Sequence, residues 1–147
     1  MKNLFLILLA FAIAFEFPVM AQKPTVVNLN CNSSDDDFAP VLSNGGKTMF
    51  FTSDRSRGKQ RVYEIKKTED GWTLPDDISG DVNDATQAGS ATFTPDGQYM
   101  IFAGYEHDVV GEGRTDLYSA RKMKGKWVDV QNLGPAVNSA YWDSQPA

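Results

Sequence analysis

One cysteine and one histidine are all that this chain of 147 residues holds of those two residue types. A lone thiol closes no internal disulfide, and one thiol with one imidazole cannot supply a structural zinc site. Cys31 reads as an unpaired thiol and not as a lipid anchor, because Asn30 and Asn28 stand where a small and an apolar residue would be needed. Basic charge is also scarce. Lys and Arg number 14 against 19 Asp and Glu, a net charge of −5. That balance excludes nucleic acid and anionic lipid as general electrostatic partners. Long apolar runs are missing apart from Leu4 to Phe15, which follows Lys2 and precedes Val19-Met20-Ala21. The run is too short for a committed membrane span and has the layout of a secretory signal peptide cleaved after Ala21. Loss of Lys2 and Glu16 with residues 1–21 leaves the acidic excess unchanged. The mature chain, long enough for one domain, is expected to leave the cytoplasm without inserting into a membrane.

What the chain does contain is a repeat. Pro40-Val-Leu-Ser-Asn-Gly-Gly46-Lys-Thr-Met-Phe-Phe51 lies over Ala91-Thr-Phe-Thr-Pro-Asp-Gly97-Gln-Tyr-Met-Ile-Phe102. Further on, Val62-Tyr63 matches Leu117-Tyr118, Trp72 matches Trp127, and Val82-Asn83 matches Val137-Asn138. The second set needs a shift larger by four residues, absorbed by the loop from Glu106 to Arg114. After Ala140, Asp143 and Pro146 fall on Asp37 and Pro40, so a third unit begins. Inside each unit the apolar period is two, with no sustained helical stripe. Thr48–Ser53, Arg61–Lys66, Gln98–Ala103 and Asp116–Arg121 read as strands, and Gly71-Trp72 and Lys126-Trp127 open a fourth. Asn44-Gly45-Gly46 and Pro95-Asp96-Gly97 are turn signals. The expected fold is all-β: blades of four antiparallel strands, two complete and a third begun, from an incomplete β-propeller. Residues 22–34 are expected to be a flexible N-terminal segment, 35–86 the first blade, 87–141 the second and 142–147 the start of the third.

The pattern Asp-x-x-Pro, Ser-x-x-Gly-(Lys/Gln), an apolar strand ending Phe-x-Ser, and a later Val/Leu-Tyr resembles the WD-repeat-like β-propeller of the TolB type. Pro95-Asp96-Gly97 matches that family's turn, and Asn44-Gly45-Gly46 is a degenerate version. The resemblance spans about residues 35–147. With Gly-x-Trp and a terminal Val-Asn in each unit, it is nearest to secreted bacterial members. Those often sit beside a peptidoglycan-binding domain resembling outer-membrane protein A. The resemblance implies a periplasmic, outer-membrane-associated or extracellular place, and a fold that hosts many activities.

The candidate residues divide into structural and surface groups. Asp35-Asp36-Asp37 could be read as a calcium cluster, but three adjacent carboxylates cannot all face one ion, so the run reads as a solvated strand entry. Asp37, matched by Asp143, is expected to accept hydrogen bonds from a neighbouring blade's turn. Trp72 and Trp127 could form a sugar-stacking platform; their recurrence favours packing between blades, and Tyr63 and Tyr118 follow suit. Trp142 falls on Gln87 and has no aromatic equivalent. Asp96 and Gly97 belong to the turn. His107, between Glu106 and Asp108, could act as a general base, yet no nucleophile motif accompanies it. A solvated loop is the simpler reading. The string Arg55-Ser-Arg57-Gly-Lys59-Gln-Arg61 occupies the equivalent loop. Loops at one end of such a fold carry binding surfaces, so Arg55, Arg57, Lys59, His107 and Arg114 are the candidate binding residues.

These readings describe an exported, non-catalytic binding or scaffolding module for a protein or cell-wall glycan partner, with no cofactor and no metal. The alternatives are an accessory propeller of a longer secreted hydrolase or peptidase, and a structural element of the cell envelope or secretion machinery. Two blades alone would leave Phe51, Phe102 and Trp127 uncovered. The remaining blades are therefore expected from a longer chain or from other copies.

Overall fold

Apolar alternation produces the strands, and turn chemistry joins them. The structure, a computed structural model, describes residues 23–147; the expected leader lies outside them. Two antiparallel sheets form. In the first, β1 (Asp37–Ser43), β2 (Thr48–Ser56), β3 (Lys59–Thr68) and β4 (Gly71–Trp72) pair in chain order, and β5 (Asp76–Asp77) returns to β3. In the second, β6 (Gln87–Phe93), β7 (Tyr99–Tyr105), β8 (Thr115–Met123) and β9 (Lys126–Asn132) follow the same order. Pro75 accounts for the broken fourth strand of the first sheet, because it has no N–H to give to the β3 ladder. Arg57-Gly58 and Lys124-Gly125 both carry paired positive φ values (58°, 74° and 49°, 80°), the geometry of a tight two-residue hairpin. The basic string read as a loop is therefore mostly strand, with Arg55 in β2 and Lys59 and Arg61 in β3.

Alternation gives each sheet two unlike faces. The front of the first carries Met49, Phe51, Tyr63, Ile65 and Trp72, and the front of the second carries their equivalents Met100, Phe102, Tyr118, Ala120 and Trp127. The back faces carry Phe50, Thr52 and Val62 in one sheet, and Ile101, Ala103 and Leu117 in the other. The front of the second sheet packs on the back of the first, forming the main core. Within it Trp127 stands edge-on to Phe50, with ring centroids 6.3 Å apart, and 5.4 Å from Phe93.

Three expectations need correction. Phe51, Phe102 and Trp127, expected to be uncovered, are all buried. Phe102 and Trp127 face the first sheet, while Phe51 is covered from the N-terminal side by Cys31. Trp72 does not lie between the sheets; it sits half-buried on the front of the first, against the cluster of Cys31, Phe51, Tyr63 and Ile65. Residues 22–34 were expected to be flexible; Lys23 to Leu29 are exposed and outside any strand, whereas Asn30 to Ser33 are tied down. Asn30 Nδ2 donates to the Trp72 carbonyl at 3.1 Å, and Arg55 donates to the Cys31 carbonyl at 2.9 Å.

The link between the sheets explains how their order is held. The Trp127 N–H donates to the Ser79 carbonyl at 2.9 Å, and the Asp81 N–H donates to the Trp127 carbonyl at 2.8 Å. Gly80 lies so close that a Cβ on it would stand 1.9 Å from the Trp127 carbonyl oxygen. Ile78 and Val82 enter the core. Asn83 then turns back and acts as a peptide mimic: it accepts from the Val62 N–H and donates to the Val62 carbonyl, both at 3.0 Å. Asn138 does the same for Leu117, at 2.8 Å and 3.0 Å. The repeated Val-Asn is thus a device that closes the third strand's edge. Asn83→Ala would leave the buried Val62 N–H without its partner and the Val62 carbonyl with only the longer bond from the Ile78 N–H, at 3.4 Å, and should cost about 1–3 kcal/mol. Urea unfolding of the variant against the parent checks this; an unchanged midpoint would contradict the role.

Candidate functional site

Loops at one end of the sheets join β2 to β3 and β7 to β8, and all five candidate binding residues lie in or beside them. The structure separates them into two groups. Arg57, Lys59 and Arg114 are exposed. Arg55 and His107 turn inward and do matching work in the two units. The Arg55 guanidinium lies 5.2 Å from the ring centres of both Phe51 and Tyr63 and hydrogen-bonds the Cys31 carbonyl. The His107 imidazole lies 5.9 Å from Phe102 and 5.0 Å from Tyr118, and its Nε2 is 3.0 Å from the Asp81 carbonyl. Beneath them the aromatic pairs are near copies. Phe51 and Tyr63 stack at 5.9 Å and 28°, and Phe102 and Tyr118 at 5.7 Å and 26°.

His107 is therefore not a solvated loop residue, and its place explains why. The Val109 N–H donates to Nδ1 at 3.0 Å, which leaves Nε2 as the N–H that donates to the Asp81 backbone carbonyl. Both nitrogens are engaged in holding the loop to the link. A general base needs a free lone pair aimed at a substrate proton, and this imidazole has none to offer.

Asp37 also differs from expectation. Its partners are local: the Ser33 N–H at 2.6 Å, the Ser33 hydroxyl at 3.0 Å, and Arg55 at 2.6 Å. Among the described residues no turn of the neighbouring sheet reaches it; Ser33 and Arg55 of its own unit take up the carboxylate. Asp143 repeats the arrangement with Ser139, at 2.6 Å and 3.0 Å. Desolvation alone would raise the Asp37 pKa. Hydrogen bonds from Ser33, Ser53 and Arg55 outweigh it and bring the value down to about 2. At the opposite end, Asp96 accepts from the Thr94 hydroxyl at 2.5 Å and from the Gln98 N–H at 3.0 Å. Those bonds lower its pKa, and with Gly97 at φ 67° they define the turn. The Tyr63 and Ser56 hydroxyls share a hydrogen bond at 2.6 Å, and the Tyr118 hydroxyl donates to the Val109 carbonyl at 3.1 Å.

Two hollows border this scaffold. One, of about 820 Å³, opens at the turn end between the sheets and includes Lys47, Lys66, Lys122, Glu64 and Asp96. Another, of about 430 Å³, lies at the loop end on the back of the second sheet, among Gln60, Gln87, Tyr105, Thr115 and Trp142. Trp142 stacks on Tyr105 at 6.1 Å and 15° yet stays 67% exposed. The Thr115 hydroxyl there is buried without a hydrogen-bond partner. Sequence reasoning did not include Trp142 as a site residue. The available signal was an aromatic residue where the first unit has Gln87. Among the described residues, no helix is long and apolar enough to cross a membrane, and no group of three or more His, Cys, Asp or Glu is gathered as for a metal ion.

No protein-family model matches the chain, and no curated protein matches it either.

Two predictions follow from these placements. Reversing Arg57, Lys59 or Arg114 to Glu should change stability by no more than about 0.5 kcal/mol, whereas Arg55→Ala and His107→Ala should each cost about 1–3 kcal/mol. Thermal unfolding of the five variants separates the groups, and a costly Arg114→Glu would place that side chain in the scaffold. The Asp37 carboxylate, whose pKa is lower in the folded chain than its ordinary 3.8, contributes stability fully present above about pH 4. That contribution is lost as the pH falls towards 2. Asp37→Asn should flatten this acid limb of the stability–pH curve; an unaltered limb would assign acid sensitivity to other carboxylates.

Proposed function

We propose that this chain is an exported, non-catalytic binding or scaffolding module. Its two sheets are successive blades of a TolB-type propeller stack, and its loop end is offered to a protein or glycan partner in the bacterial cell envelope. The observation that supports this most is the repeated face packing. The set Met49, Phe51, Tyr63 and Trp72 recurs as Met100, Phe102, Tyr118 and Trp127, and in the second sheet that set is buried against the preceding sheet. Such an array is rigid because each sheet is held by its neighbour, which leaves the loops free to vary. The exposed Arg57, Lys59 and Arg114 carry no load in the core. They supply positive charge at the loop end of a chain with net charge −5. With Arg55 and His107 both committed to the scaffold, a binding role fits the loop end better than catalysis.

Two measurements test the reading. Expression with the leader in a Gram-negative host should deliver a periplasmic product beginning at Gln22, and that product should co-sediment with isolated cell-wall sacculi or cross-link to an envelope protein. The triple variant Arg57→Glu, Lys59→Glu, Arg114→Glu should melt as the parent does and lose that retention. An intact Met1, or full retention by the triple variant, refutes the proposal. The stack itself is probed by Trp127→Ala, expected to cost roughly 3–5 kcal/mol, against a smaller loss for the half-buried Trp72.

A further inference from the structure

The contact between the two sheets has a defined chemistry, and each of its halves occurs once more in the molecule. The front face of the first sheet repeats the residues that the second sheet buries, down to the spacing and tilt of the stacked Phe–Tyr pair. Among the described residues that face is covered by the N-terminal segment alone, which leaves a cavity of about 170 Å³ beside Met49, Phe51 and Cys31. The complementary half is the back of the second sheet. Ile101 and Leu117 there stand where Phe50 and Val62 stand in the first, but are only half-buried.

The links repeat as well. Val27-Asn28-Leu29-Asn30-Cys31-Asn32-Ser33 aligns with Ile78-Ser79-Gly80-Asp81-Val82-Asn83-Asp84 and with Leu133-Gly134-Pro135-Ala136-Val137-Asn138-Ser139. In the complete link, Ile78 and Val82 are buried on the following sheet while Asn83 closes the third strand of the preceding one. The N-terminal link is half engaged. Cys31 is buried on the first sheet as Val82 is on the second, but Val27 is 71% exposed where Ile78 is 5%. Asn32, the equivalent of Asn83, is exposed, and among the described residues its side chain is hydrogen-bonded by the Cys31 thiol alone, at 4.0 Å. The C-terminal link is half engaged in the opposite sense. Asn138 closes Leu117, while Val137 is 52% exposed and Trp142 borders the same hollow as Thr115, whose hydroxyl has no hydrogen-bond partner among the described residues.

We propose that the front of the first sheet docks, head to tail, on the back of the second sheet of another copy of this chain, with Asn32 closing the edge of that copy's β8 at Leu117. The inference rests on reading the two sheets as successive units of one stack. Asn138 of the second copy yields the position, because one strand edge accepts one asparagine. Its tail from Leu133 onward swings away, taking Trp142 off Tyr105. The face pair is the one the molecule already uses internally, which is why a second copy is the occupant that fits. The contact is heterologous, since different faces meet, so association can continue beyond a dimer.

Sedimentation velocity of the soluble full chain, from about 1 to 100 μM, tests this. The expected result is a sedimentation coefficient that rises with concentration, with a parallel shift in tryptophan emission as Trp142 is released. Asn32→Ala, at an exposed position, and Ile101→Asp, at a half-buried one, should each weaken association roughly tenfold or more, which corresponds to about 1.4 kcal/mol. At concentrations low enough that the parent is monomeric, Asn32→Ala should melt as the parent does. A chain that remains monomeric throughout overturns the proposal, and so does association that both variants leave intact. The underlying stack fails separately: if Trp127→Ala melts like the parent, the reading of stacked units is wrong, whereas a destabilised Trp127→Ala with a monomeric parent removes only the second copy.

Discussion

A sheet of four short strands has two faces to shield from water, and a hairpin connection shields neither. Burial of Phe102, Tyr118 and Trp127 against Phe50 and Val62 meets that constraint for the interior of this molecule, and the remaining architecture depends on it. Large aromatic side chains contribute most per residue because each removes so much apolar area from water. They also demand order. Edge-on contact of Trp127 with Phe50 needs the sheets at one separation and one rotation, and the link supplies both.

The link does so with polar groups placed at the margin of the apolar contact. Backbone bonds on either side of Gly80 seat the chain on Trp127, at an approach that only glycine permits. Asn83 and Asn138 complete the hydrogen bonding of strands that would otherwise present open peptide groups. Unpaired strand edges invite foreign pairing, so each asparagine stabilises its own sheet and also excludes competitors there. Arg55 and His107 extend the same principle to the loop end. One is a cation and the other an imidazole with Nε2 protonated, yet both cap a stacked Phe–Tyr pair and reach a carbonyl of the preceding link. The chemistry differs while the position is kept.

That equivalence bears on function. Groups that a sequence reading places on a binding surface can be withdrawn when an aromatic pair beneath them is left uncovered. Arg55 and His107 are withdrawn, whereas Arg57, Lys59 and Arg114 have no ring below to hold them. The proposed binding role therefore falls to the outer three. The withdrawn two set how rigidly those three are presented.

Composition and local pattern determined the all-β class, the two units, most strand positions and the turn at Asp96-Gly97, because each depends on neighbours within a few residues. Alternation of apolar side chains selects strands, and positive φ selects glycine. The equivalence of Trp72 and Trp127 was legible for the same reason, but their unlike surroundings were not. Which face meets another sheet depends on what lies across the contact, so one tryptophan is enclosed and its twin stays half-open. His107 was read as solvated because its spacing shows no partner within reach; the partners, Phe102, Tyr118 and Asp81, come from three separate segments. Asp37 was matched to Asp143, but its bonds come from Ser33, four residues away, and from Arg55 across β1 and β2, donors that only the folded path could select. Tertiary structure decided these matters because burial and hydrogen bonding at a position are set by groups distant in sequence, whose approach no local pattern encodes.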